Sequence, residues 1–264
     1  MKRWQIFALV VVVSVITGTN VDARQRGRGG GRGDAPPPPP PRTAAHFDLT
    51  GYWTAVITED WRWRMVTPPR GDYQGVPLSA EGRRVADAWN PEADAASDNA
   101  CRAYGVGGIM RLPTRLRVTW EDDWTLRVDT DAGQQTRLLR FRSQDSPAEA
   151  SWQGHSIARW DKQQLARGFS GRVPSEGPGT LNVVTRGMRS GYLRRNGVPY
   201  SERAVITESF VRHADFGEEW FTVITTVEDP QYLSRPFITS TSFKREADGS
   251  KWSPTPCVVV PPLR

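Results

Sequence analysis

Between Leu112 and Arg245 apolar and polar residues alternate over several segments with a period of two, the repeat of a strand with one buried face. Leu116, Val118 and Trp120 alternate with Arg115, Arg117 and Thr119, and Leu126 and Val128 alternate with Arg127 and Asp129. A short connection at Asp122-Asp123-Trp124 sets Trp120 opposite Leu126 and Val118 opposite Val128. The same register sets Arg117 opposite Asp129 on the other face, so both faces agree on one pairing. Asp131-Ala132-Gly133 turns the chain into a third strand, Gln135 to Phe141. Further strands are predicted at Ser151 to Trp160, Thr180 to Thr185, Ala204 to Arg212, Glu219 to Glu228 and Pro236 to Arg245.

Upstream, Leu49 to Thr58 is rich in β-formers and predicts the first strand. Asp60 to Met65 alternates strictly and predicts an extended segment with Trp61, Trp63 and Met65 on one face. One short helix is predicted from Ser79 to Trp89, with Ser79 as its cap and Pro91 just beyond its end. Nothing alternates strand with long helix, which argues against a doubly wound sheet. The pattern is that of an all-β antiparallel meander that closes into a barrel or stacks as a sandwich.

The first residues change the picture of where this domain works. Lys2 and Arg3 precede an apolar run, Ile6 to Ile16, that is short for a bilayer span, and Val21-Asp22-Ala23 places small residues at the positions a signal peptidase reads. Residues 1–23 therefore read as a signal peptide, and no later apolar run is long enough to be a transmembrane segment. Residues 24–45 form a leader with five Arg and six consecutive prolines, Pro36 to Pro41, and offer little to bury, which predicts disorder. The net charge of +6 sits mostly in these first residues, so the domain from 46 to 264 gives no electrostatic argument for nucleic acid. A periplasmic or secreted location follows, and with it a disulfide between Cys101 and Cys257, the sole possible pairing.

Two resemblances arise from these residues. Gly51-Tyr52-Trp53 resembles the Gly-x-Trp start of the lipocalins and their calycin relatives. That likeness implies a barrel binding a small apolar ligand, with the Trp closing one end beside a partner Arg, for which the sequence offers many choices. The runs Trp152-Gln153-Gly154-His155-Ser156, Gly197-Val198-Pro199-Tyr200-Ser201 and Glu228-Asp229-Pro230 are similar, in order, to those of a large group of secreted bacterial proteins without assigned activity. This second likeness implies compartment and kinship and no mechanism.

Candidate chemistry is sparse. Three His without a His-Glu-x-x-His, Cys-x-x-Cys or calcium-loop spacing give no metal site and no reason for a cofactor. Gly105-Val106-Gly107-Gly108 lacks both the dinucleotide spacing and a phosphate lysine. Glu208 alternates with Ala204, Ile206 and Phe210, so it lies on an apolar face and needs a partner, with Arg194, Arg195 and Arg203 as nearby choices. His155 lies in a strand, on the face opposite Trp152 and Trp160. Trp61, Trp63, Trp152, Trp160, Trp220 and Tyr200 are candidates for an aromatic lining around a small apolar or aromatic ligand. The sequence thus points to an exported small-molecule-binding barrel. The alternative is a cofactor-free lyase, isomerase or hydrolase that uses Glu208 and His155 in the same cavity.

Overall fold

The computed structural model describes residues 37–97, 99–142, 149–162 and 179–262. The signal-peptide reading of residues 1–23 and most of the leader lie outside them. Nine strands close into a barrel: β1 (Gly51–Val56), β2 (Arg115–Trp120), β3 (Thr125–Thr130), β4 (Thr136–Arg140), β5 (His155–Asp161), β6 (Thr180–Arg186), β9 (Val205–Asp215), β10 (Glu218–Glu228) and β11 (Phe237–Glu246). The order around the barrel is β1-β11-β10-β9-β6-β5-β4-β3-β2. A separate hairpin, β7 (Gly191–Arg194) with β8 (Val198–Tyr200), lies between β6 and β9 in the chain.

The β2–β3 register is the one the alternation predicts: Trp120 pairs with Leu126, Val118 with Val128 and Arg117 with Asp129. The charged pair closes an ion pair at 3.0 Å, and Arg127 and Thr136 donate to the same carboxylate. The meander breaks in one place. β4 and β5 run parallel, because the chain leaves β4 at one end of the barrel and enters β5 from the other.

Apolar side chains fill the inside. Trp53, Phe210, Phe221 and Phe243 pack ring on ring, with Phe221 centred 4.7 Å from Trp53 and 4.9 Å from Phe243. Leu116, Val118, Leu126, Leu139, Leu181 and Val183 surround them, all buried. Trp53 donates its indole N–H to the Leu49 carbonyl at 2.8 Å. The guanidinium of Arg245, on β11, lies 5.0 Å from the Trp53 ring and donates to the Thr50 carbonyl at 2.8 Å.

One end of the barrel is closed by His46, Phe47, Trp120, Phe141 and Trp160 in edge and stacked contacts. The end of the leader belongs to this closure. Trp160 donates its indole N–H to the Pro41 carbonyl at 2.9 Å, and the Arg42 amide donates to the Asp123 carbonyl at 3.2 Å. The compact unit that holds the barrel includes Pro39 to Ala45, and its proline-rich backbone offers free carbonyls that the rim of the barrel uses.

The opposite end is capped by the long excursion between β1 and β2. It carries three short helices where one was expected: α1 (Trp61–Arg64), α2 (Ala80–Asp87) and α3 (Pro91–Ala95). α2 is the predicted helix, and the Ser79 hydroxyl accepts from the Gly82 amide at 3.0 Å. α1 replaces the predicted extended segment. Asp60 adopts a left-handed conformation at φ 55°, which turns the chain into one helical turn and swings Arg64 inward while Trp61 and Met65 stay exposed. Over the six residues from Asp60 to Met65 alternation does not separate a strand from a turn of helix.

Candidate functional site

α1, the turn Ile109–Arg111 and the β7–β8 hairpin meet at the capped end and leave a cleft between them. Trp63, Arg64, Arg111, Arg194 and Arg195 line it, over a floor that includes Gly108, Leu112 and Leu193. It encloses about 10 Å³, close to the room that one water molecule needs.

The walls are densely cationic for a place so sheltered. Arg64 is 2% exposed and Arg194 is 7% exposed. Arg64 donates to Glu59 at 2.6 Å and to the Arg111 carbonyl at 2.9 Å. Arg111 donates to Asp60 at 2.5 Å and to the Ser240 carbonyl at 3.1 Å, and Arg195 donates to the Arg64 carbonyl at 2.7 Å. The third nearby carboxylate, Asp72, is held by Arg62. Arg194 forms no ion pair among the described residues; its guanidinium rests 4.6 Å from the Trp63 ring. Arg194 Nη1, Arg64 Nη2 and Arg195 Nε are sealed from solvent without a hydrogen-bond acceptor among the described residues. Burial lowers the pKa of Arg64 and of Arg194 to about 10, and like charge from Arg111 adds to the effect in both. Arg111 and Arg195 are lowered as well, again through burial first.

A second small cleft adjoins the first and shares Ala103 and Arg195 with it. There the Tyr192 hydroxyl donates to Asp94 at 2.7 Å and the Trp89 indole donates to the same oxygen at 3.0 Å. Burial, then the bond to Asp94, raises the Tyr192 phenol to about 12, which keeps it a donor. The disulfide Cys101–Cys257 joins the turn Ala100–Tyr104 to the C-terminal segment that lines this cleft through Val258, Val259 and Val260.

The six aromatic candidates do not gather around one space. Trp61 is exposed, and Trp63 forms a wall of the arginine cleft. Trp152 lies under Arg189 at 4.1 Å, and Trp160 belongs to the far closure. Trp220 stacks on His213 outside the barrel. Tyr200 is fully buried in the cap core, and Gly105 and Gly107 pack on it. A Cβ on Gly105 would stand 2.2 Å from the Tyr200 hydroxyl, and one on Gly107 would stand 2.6 Å from its ring.

Glu208 and His155 do not converge either. Glu208 shares the inward face with its pairing partner Val183 and with Ala158, whereas His155, three residues before Ala158, leaves the other face of β5. Glu208 is 0% exposed and is bonded by Arg137, not by Arg194, Arg195 or Arg203. His155 is 6% exposed, and neither ring nitrogen has a hydrogen-bond partner among the described residues. The Glu228-Asp229-Pro230 motif is structural: Asp229 accepts from the Ser201 amide at 2.6 Å and the Ser201 hydroxyl at 2.8 Å. The arginine cleft was missed from sequence because its residues lie on three separate segments. The paired cations Arg194-Arg195 and the run Trp61-Arg62-Trp63-Arg64 are the traces that could have found it.

Comparison with protein-family models, with curated proteins and with solved structures finds no match for this chain.

Proposed function

We propose that the protein is an exported ligand-binding β-barrel that takes its ligand at the capped end, in the cleft between Trp63 and Arg194, and not along the barrel axis. One observation carries this reading. The interior is occupied by the Trp53–Phe221–Phe243 stack and by the Arg137–Glu208 pair, while Arg64, Arg194 and Arg195, which line the cleft, each keep a buried N–H without an acceptor among the described residues. Buried polar groups are satisfied as a rule, so a set of unsatisfied ones in a concave place marks where a ligand completes the structure.

The Cys101–Cys257 disulfide supports export to an oxidising compartment. The Arg245 guanidinium over Trp53 supports kinship with lipocalin-type barrels, since it supplies the Trp–Arg pairing implied by Gly51-Tyr52-Trp53. The enzyme alternative loses its pair, because Glu208 and His155 lie on opposite faces of the sheet.

Soaking crystals with a library of neutral, anionic and cationic fragments tests the site. Density against Trp63 and Arg194 is the expected result. Fragments seated among Leu139, Leu181 and Val183 would place the site inside the barrel and refute the proposal.

A further inference from the structure

We infer that the cleft at the capped end recognises an oxyanion, the carboxylate or phosphate group of its ligand, with Arg194 as the principal contact and Arg64 and Arg195 beside it. This rests on the reading that the cleft is the binding site, and it adds the chemistry.

Charge balance comes first. Five guanidinium groups, those of Arg62, Arg64, Arg111, Arg194 and Arg195, stand around three carboxylates, Glu59, Asp60 and Asp72. Each carboxylate is already engaged: Glu59 by Arg64, Asp60 by Arg111 and Asp72 by Arg62. Arg194 and Arg195 therefore bring charge into a sheltered place that no described acidic side chain matches. The attraction of Trp63 for Arg194 holds that guanidinium in position but accepts none of its N–H bonds.

Geometry comes next. The three sealed donors, Arg194 Nη1, Arg64 Nη2 and Arg195 Nε, belong to three residues that line the same cleft. A guanidinium presents its donors in a fixed planar fork, which matches the paired oxygens of a carboxylate or phosphate. A water in the enclosed space could accept such bonds but would leave the charge uncompensated. Burial, the main cause of the lowered pKa values of Arg64 and Arg194, is a cost that a bound anion would offset, raising both. The enclosed room is only about 10 Å³, so the oxyanion end of the ligand enters it and the body of the ligand stays outside, against the half-buried Trp63 ring.

Titration of the full mature chain with inorganic phosphate, acetate and, as the uncharged shape control, acetamide tests this at constant ionic strength. Arginine side-chain NMR signals serve as the readout. Phosphate or acetate is expected to bind saturably and to shift the Nε–H signals of Arg194 and Arg64, while acetamide shifts neither. Tighter phosphate binding assigns a phosphate-type ligand, and tighter acetate binding assigns a carboxylate. Arg194→Gln is expected to weaken the better anion at least ten-fold, and Arg84→Gln, on an exposed face of α2, is expected to leave it unchanged. If Arg194→Gln does not fold, Arg194→Lys keeps the charge, loses the fork and is expected to give a smaller but clear loss. Equal weak binding by wild type, Arg194→Gln and Arg84→Gln would show an ionic atmosphere and overturn the inference. Fragments that enter the cleft regardless of charge would overturn the oxyanion and leave the site standing, whereas fragments that bind elsewhere would end both.

Discussion

Arg137 on β4 and Glu208 on β9 meet across the inside of the barrel, with Arg137 Nη1 donating to Glu208 Oε1 at 3.1 Å and Nη2 donating to Oε2 at 2.5 Å. β4 and β9 are not neighbours in the sheet, since β5 and β6 stand between them, so the pair ties together two strands that share no backbone hydrogen bonds. Both side chains are withdrawn from solvent. Breaking such a pair leaves one buried charge without its partner, at a cost of about 3–5 kcal/mol. Glu208→Gln is expected to lower stability by that amount in chemical denaturation, and the double variant Arg137→Met/Glu208→Leu to recover most of it. Ligand binding by the folded fraction of Glu208→Gln should match wild type; a selective loss of binding would return Glu208 to the site.

His155 supplies a pH dependence. Burial first, and the charge of Arg140 second, hold its pKa below the usual 6.5. The unfolded chain takes up this proton near its ordinary pKa while the folded chain does not. The contribution to stability is therefore full above about pH 6.5 and drains away as the pH falls through and below that value. Melting temperatures of wild type and His155→Gln from pH 7.5 to 5 are expected to diverge, with the wild type falling more steeply. Parallel curves would contradict the assignment.

The disulfide spans a sequence separation of 156 residues. In the chain-entropy model a loop of that length stabilises the fold by about 5 kcal/mol. Reduction is expected to lower the melting temperature markedly. It should also free the C-terminal segment at Val258, now held by bonds with the Tyr104 hydroxyl at 3.2 and 3.3 Å, which hydrogen exchange would detect. Unchanged exchange there after reduction would show that the segment is held by other contacts.

The end of the leader is part of the fold. Deleting the chain up to Ala45 removes the Pro41 carbonyl from the Trp160 indole and the Arg42 amide from Asp123. A lost hydrogen bond of this kind is worth about 1 kcal/mol, or roughly 2–4 °C in a domain of this size. A melting temperature unchanged by this deletion would restore the boundary at His46.

The strands were legible because each has one buried face, and alternation reports that face directly. The β2–β3 register could be read from two side-chain faces at once, as Arg117 and Asp129 show. Three features escaped. The parallel β4–β5 junction depends on the path of the connecting chain, which alternation does not encode. α1 depends on the left-handed Asp60 and on the burial of Arg64 against Arg111, a contact 47 positions away. The cleft depends on Arg64, Arg111 and Arg194 coming together from three segments, each of which alone reads as a solvated cation. Glu208 was legible as a buried carboxylate, but its partner Arg137 was not, because the two meet through the space inside the barrel and not along the sheet.

The central claim is that Arg194 is kept in the cleft for a ligand and not for the fold. A buried guanidinium without a carboxylate partner costs stability, so its replacement by an apolar side chain of similar length should relieve the fold. The melting temperature of ligand-free Arg194→Met, set against ligand-free wild type, decides the matter. The account predicts a value equal to wild type or higher by about 2–4 °C, the equivalent of roughly 1 kcal/mol. A fall of that size or more would make Arg194 a structural residue and contradict the account.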